Sequence, residues 1–415
     1  SSQCMQAWVG LTSVASRAAG ARASVIRSQV ESRLRLGKRS TAAFWKLASA
    51  NQRRPVTGSS SNSSDRFERG AIMSGGSALR VPPKPSVTVV DVAGEPTEVI
   101  ETFEGEDGGL GGSETSSAAP DLDVVIFPGN PGSALFYIPY MQSLHATLKK
   151  DFGRVRCRAV SHLGHSRDIY KAAFYTLEDQ VVHKQRFLEK VYSGEKGDKA
   201  GSSLLVVGHS IGGFMALEAV KRWQASEKQK RRASRHSRHV SDTCRIFAQM
   251  PYMQFDEGSP KQLRLEKVAQ RPYIPAAFAQ CLGLVPHFLT VRLIRLFDKN
   301  VEAESARHVA GQLLSYTVGH NAFSLARDEF KSLRRKEIDW QWLKGEAARL
   351  GFVFCPGDHW SPRHLHRATE ENLAPKSWVR FEPTQFHGFV TRHDSSHHMA
   401  ELTRDFLGDT SSSFN

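Results

Sequence analysis

A serine, an acid and a histidine occur in this chain in an order that suits nucleophilic attack on a carbonyl. Ser210 sits in Gly208-His-Ser-Ile-Gly212, after the apolar run Leu204-Leu-Val-Val207 and before a helical stretch that opens with Phe214, Met215, Leu217 and Val220. Strand, tight turn and helix in that order make a nucleophile elbow. The turn holds the hydroxyl at the carboxyl end of a sheet, and Gly208 and Gly212 leave room where a Cβ would collide. A helix N-terminus beside the serine favours a developing negative charge.

A serine hydroxyl is a weak nucleophile and needs a base, which in turn needs a carboxylate to orient it. With this elbow the partners follow in the order acid, then histidine. Asp358 comes directly after the apolar run Gly351-Phe-Val-Phe-Cys355, and His387 follows the last strand, Trp378-Val-Arg-Phe381, by a short loop. Ser210 is therefore assigned as nucleophile, His387 as base and then acid, and Asp358 as the group that fixes the imidazole. Asp328 and Asp339 fall in helical sequence, and His359, His364, His366 and His393 lack the position after a terminal strand. The oxyanion donors are expected to be the Ile211 amide and the Asn130 amide, the latter in Pro128-Gly-Asn-Pro-Gly132, where Pro131 offers no N–H. His162, His165 and His209 end strands on the same side and are placed along the pocket. Asp179 and His183, one helical turn apart, are expected to make a structural hydrogen bond. No histidine or cysteine spacing fits a metal site.

Alternating strands and helices position these groups. Strands are expected over 87–92, 97–103, 121–127, 155–160, 204–207, 245–250 and 378–381, with a strand and then a turn over 351–362 and helices over 136–149, 177–191 and 399–407. That alternation reads as a parallel α/β sheet. A helical cap is expected at about 252–337. Within it, the residues from Pro272 to Val291 carry no Lys, Arg, Asp or Glu. The stretch approaches spanning length, but Pro272, Pro275, Gly283 and Pro286 interrupt it. It is read as a broken helix in the cap or a shallow insertion into a lipid surface rather than a transmembrane span, with a plain buried cap helix as the alternative.

Composition sets the remaining bounds. The net charge is +14 over 415 residues, but two stretches hold most of the excess. Before Gly70 the acids are Glu31, Asp65 and Glu68 alone, and a second basic run starts at Lys228. The body is nearly neutral and carries no nucleic-acid-binding module, so no nucleic-acid partner is expected. Residues 1–83 read as a basic leader and linker, with the composition of a transit peptide to a plastid or mitochondrion as one alternative. Residues 84–408 read as the main domain, with a charged insertion at 225–242, a mobile loop at 105–119 and a flexible tail at 409–415. Five cysteines without paired spacing suit reduced thiols of an intracellular protein.

Phe127-Pro-Gly-Asn-Pro-Gly132, Phe136-Tyr137, Ser161-His-Leu-Gly-His165, Gln180-x-x-His183-Lys184, Gly208-His-Ser-Ile-Gly212, Asp358-x-Trp-x-Pro362 and His387-x-Phe389 together resemble the lipid droplet-associated hydrolase family, over roughly 121–407. The resemblance implies an α/β-hydrolase fold: a mostly parallel sheet with helices on both faces and a helical cap insertion. It implies a serine ester hydrolase acting without a cofactor on sterol esters or other neutral lipids, at lipid droplets and the endoplasmic reticulum. The family's catalytic residues fall on Ser210, Asp358 and His387, and its droplet-docking cap segment falls on the stretch from Pro272 to Phe297. The leader and the charged insertion depart from the family pattern. Two other readings use the same residues: a lipid-surface binding protein with weak catalysis, and a thioesterase or small-ester hydrolase. An epoxide hydrolase or dehalogenase would need Asp where Ser210 stands.

Overall fold

The computed structural model describes residues 84–103, 120–169, 171, 173–193, 202–232, 243–298 and 301–411. The leader at 1–83, the loop expected at 105–119, the stretch 233–242 and the last residues of the tail lie outside that set. The strands are β1 (Ser86–Val92), β2 (Glu95–Thr102), β3 (Leu122–Phe127), β4 (Val155–Val160), β5 (Ser203–His209), β6 (Arg245–Gln249), β7 (Leu350–Phe354) and β8 (Trp378–Phe381). They form one eight-stranded sheet in the order β1-β2-β4-β3-β5-β6-β7-β8. The pairs β1–β2 and β2–β4 are antiparallel and all the others parallel.

The apolar strands are buried on both faces, as a parallel sheet between helix layers requires. Val124 and Ile126 of β3, with Leu205 and Val207 of β5, face one core together with Tyr140, Leu144 and Phe406. Val125 and Phe127, with Leu204 and Val206, face the other, with Phe187, Val220, Trp223 and Phe352. Helices α1 (Ile138–Phe152) and α11 (His393–Ser411) supply the first layer. Helices α2 (Leu177–Tyr192), α3 (Ile211–Arg232) and α10 (Arg363–Leu373) supply the second.

The β1–β2 turn lies at Ala93 and Gly94, both with positive φ, so β2 starts at Glu95 and not after Pro96. Part of the expected charged insertion is helix: α3 continues to Arg232, helped by the Glu227–Lys230 ion pair one turn apart at 2.7 Å. Helix α11 begins before Met399 and runs on to Ser411, with Asp409 accepting from the Trp378 indole at 3.0 Å, so the expected tail is helical at its start. Helix α10, absent from the reading of the sequence, buries a sparse stripe of Leu365, Thr369 and Leu373.

The cap consists of α4 (Pro260–Ala269), α5 (Tyr273–Gly283), α6 (His287–Phe297), α7 (Ala303–His308), a π-helical stretch (Val309–Leu313) and α8 (Tyr316–Arg335), followed by α9 (Trp340–Glu346). The uncharged segment is two helices broken between Gly283 and Pro286. It is not a buried cap helix: Leu284 is 77% exposed, Phe288 61% and Leu296 70%. Among the described residues, no helix is long and apolar enough to cross a membrane.

Candidate active site

Ser210 joins β5 to α3 with φ of 56°, a left-handed conformation that a non-glycine residue keeps only where its surroundings enforce it. Its N–H donates to the Gln249 carbonyl at 3.0 Å, and its own carbonyl accepts from Gly213 at 2.9 Å and Tyr252 at 3.0 Å. A Cβ on Gly208 would overlap the Gly212 backbone, and one on Gly212 would overlap the Phe127 and Pro128 carbonyls. The elbow is therefore packed directly against the loop that leaves β3. Strand order changes direction around β3 and β5, which is where open α/β sheets form their crevice.

His387 lies after β8 and before a short 3-10 turn (Phe389–Thr391). Its Nδ1 bonds Asp358 Oδ2 at 2.6 Å, with both side chains almost fully buried. Asp358 Oδ1 accepts from the Trp360 and Ser361 amides at 2.8 and 3.2 Å, and the Cys355 thiol lies 3.8 Å from Oδ2. Burial alone would raise the Asp358 carboxyl. His387 and these two amides outweigh it and hold the carboxyl below its ordinary value. An ionised Asp358 accepts only, so His387 Nδ1–H is the donor of this bond. The His387 Nε2 is buried and makes no hydrogen bond among the described residues. The Ser210–His387 bond is not formed here; such bonds tighten with substrate in place.

The loop from β3 is tied down from every side. Gly129 N–H donates to the Tyr137 hydroxyl at 2.8 Å, and that hydroxyl bonds His209 Nδ1 at 2.7 Å. His209 Nε2 meets the His387 carbonyl at 2.8 Å. A carbonyl only accepts, so His209 is the Nε2–H tautomer and Tyr137 donates to it. Burial first, then neighbouring His387, keeps His209 well below its usual pKa and neutral. Gly132 N–H donates to His165 Nδ1 and the His162 amide donates to the Gly132 carbonyl, each at 2.8 Å. The Asn130 side chain donates to the Ala322 carbonyl at 2.9 Å and to Glu329 Oε1 at 3.1 Å, both on α8. The Asn130 and Ile211 amides themselves carry no hydrogen bond among the described residues.

The three histidines expected along the pocket are all buried. His162, His165 and His209 are 2%, 0% and 0% exposed. His165 and His209 use ring nitrogens to hold backbone, and the His162 ring packs where a Cβ on Gly132 would stand. Burial, aided by Lys184, pushes His165 down to about 3 and His162 well below its usual value, so neither ring is charged. Asp179 and His183 do not bond each other. Asp179 caps α2 reciprocally with Thr176, and His183 bonds the Thr97 hydroxyl at 2.7 Å. Gln180 clamps Leu163 through both backbone groups, and Lys184 donates to the Ser161 carbonyl at 2.7 Å. Sequence reasoning does not single out Tyr137 and Glu329 as functional, because His209 and Asn130, the partners that give them a place at the site, lie 72 and 199 residues away. Among the described residues, no group of three or more His, Cys, Asp or Glu is arranged to hold a metal ion.

Residues 120–390 match a family model described as lipid-droplet associated hydrolase. A lipid droplet-associated hydrolase of Dictyostelium discoideum is 31% identical over 286 residues, covering 67% of this chain and 86% of the relative. One from Gallus gallus is 28% identical over 311 residues, covering 71% and 87%. Among solved structures, E-2-(acetamidomethylene)succinate hydrolase superposes with a TM-score of 0.49 and 14% identity, covering 78% of this chain and 100% of that one.

Proposed function

From the premise that this chain belongs to the lipid droplet-associated hydrolase family, we propose that it is a serine ester hydrolase acting on neutral-lipid esters at a droplet surface. Ser210 Oγ attacks the ester carbonyl while His387 Nε2 takes its proton. The oxyanion is held by the Ile211 and Asn130 amides at the start of α3 and in the β3 loop. His387 then returns the proton to the departing alkoxide, leaving an acyl group on Ser210. Water activated by the same imidazole releases the acid. Asp358 holds the tautomer and balances the imidazolium.

The observation that carries this reading is the 2.6 Å His387–Asp358 bond, which occupies Nδ1 and leaves the buried Nε2 without a hydrogen bond among the described residues, in a chain whose Ser210 is held at positive φ. The surface reading rests on α5 and α6. Tyr273, Ile274, Leu284, Phe288, Leu296 and Phe297 all leave large apolar side chains exposed along this one segment, and clustered apolar exposure of this kind marks interaction sites. Helices of this kind lie in an interface with their apolar face in the acyl region.

Turnover on emulsified sterol esters, emulsified triacylglycerol and soluble p-nitrophenyl butyrate tests the proposal. Hydrolysis of an emulsified ester, abolished by Ser210→Ala, is expected. Turnover confined to soluble short esters or thioesters would favour a small-ester hydrolase. Droplet binding without any turnover would favour a binding protein on a hydrolase scaffold.

A further inference from the structure

Helix α8 carries a carboxyl group in the interior with no cation beside it. Glu329 is 3% exposed and forms no ion pair among the described residues. Burying a carboxyl group without a positive partner is costly, so its retention there calls for a reason. The hydrogen bond it makes is from Asn130 Nδ2, at 3.1 Å, and the second hydrogen of that amide goes to the Ala322 carbonyl at 2.9 Å. Ala322 and Glu329 are seven residues apart, two helical turns, and so share one face of α8.

We propose that Glu329 is a positioning residue for the oxyanion loop: together with the Ala322 carbonyl it grips the Asn130 side chain and thereby fixes where the Asn130 N–H points. This rests on Asn130 being an oxyanion donor. An amide with both hydrogens engaged cannot rotate, and its backbone follows. The cap helix thus helps to set the geometry of a site built on the sheet. Burial pushes the Glu329 carboxyl up to about 8, Asn130 draws it back somewhat, and neighbouring Asp328 adds to the rise. Near neutral pH the group is chiefly the uncharged acid and holds Asn130 through its carbonyl oxygen. The titratable groups around it offer no cation in contact. Asp328 accepts from the Leu177 amide of α2 at 2.7 Å, and the buried Tyr252 hydroxyl bonds Gln262 of α4 at 3.3 Å. Arg334 is engaged with Glu257 and Glu266.

The test uses the full chain and p-nitrophenyl butyrate, with kcat and KM measured from pH 5.5 to 9.5. Glu329→Leu should lower kcat about tenfold and shift KM less than about twofold, the mark of an interaction that matters in the transition state. Glu329→Gln keeps the acceptor and should rescue most of that loss. Wild-type kcat should fall above about pH 8, where an ionised Glu329 still accepts from Asn130 but places a negative charge behind the loop that would hold the developing oxyanion, and Glu329→Gln should lack that limb. Asn130→Ala should be slow, and the Glu329→Leu/Asn130→Ala double variant no slower than Asn130→Ala. If Glu329→Leu matches wild type in kcat and pH profile while Asn130→Ala is slow, the proposal is overturned and the oxyanion loop stands. If both single variants match wild type, the loop assignment fails and takes the proposal with it. Should Glu329→Leu not fold, Glu329→Ala is measured in its place, and a wild-type kcat there overturns the proposal.

Discussion

The His209 ring holds the backbone of His387: its Nε2–H donates to the His387 carbonyl across 2.8 Å, while its Nδ1 is held by Tyr137. The residue before the candidate nucleophile Ser210 thus positions the candidate base, and Tyr137 links both to the loop that leaves β3 through Gly129.

Tyr137→Phe should break this chain in two places, leaving the Gly129 amide and His209 Nδ1 without partners. The expected loss in kcat on a soluble ester is about tenfold, equivalent to roughly one buried hydrogen bond, with KM nearly unchanged. A wild-type kcat in a folded variant would show that the chain is only structural.

Asp358→Asn keeps the shape of the side chain and removes its charge. An amide tolerates the wrong His387 tautomer and cannot balance an imidazolium, so kcat should fall by about 10³–10⁴. A drop below tenfold would point to another acid.

Gly212→Ala places a methyl group against the Phe127 and Pro128 carbonyls, which belong to backbone and cannot swing aside. Thermal or urea unfolding should show a destabilisation of about 3 kcal/mol. An unchanged midpoint would mean that the elbow and the β3 loop are looser than described.

Leu284→Asp combined with Leu296→Asp puts charge on the most exposed apolar positions of the α5–α6 segment. Flotation with triolein droplets coated in phosphatidylcholine should show lost binding, while hydrolysis of p-nitrophenyl butyrate stays within about twofold. Undiminished flotation would move the docking surface elsewhere.

Glu329 should also mark stability. Below the ordinary carboxyl range, near 4.3, folded and unfolded chains both hold its proton. As pH rises toward about 8 the unfolded chain has released it and the folded chain has not, so this group's contribution declines. The slope is up to about 1.4 kcal/mol per pH unit. The stability of Glu329→Gln relative to wild type should therefore grow from pH 5 to pH 8; a constant difference would contradict a buried, protonated acid.

The sheet was legible in the sequence because its central strands are short runs of β-branched and aromatic residues, buried on both faces. Ser210, Asp358 and His387 stood out because each follows such a run closely. The roles of His165 and His209 were not legible, because a ring nitrogen's partner is set by loops dozens of residues away. Glu329 gave no signal either: on an amphipathic helix it resembles any other acid until Asn130 is brought against it. Helix α10 was missed because Leu365 and Leu373 are too few to make a visible period among charged neighbours. Whether the α5–α6 segment is a buried cap helix or exposed apolar surface depends on what α8 leaves uncovered, which hydropathy alone does not encode.

Labelling with a fluorophosphonate probe tests the central claim most directly, since it reads the nucleophile without needing the natural substrate. Wild type should be labelled at one residue, Ser210; Ser210→Ala should not be labelled, and His387→Ala should react far more slowly. Equal labelling of Ser210→Ala, or a folded wild-type chain that resists the probe, would contradict the account.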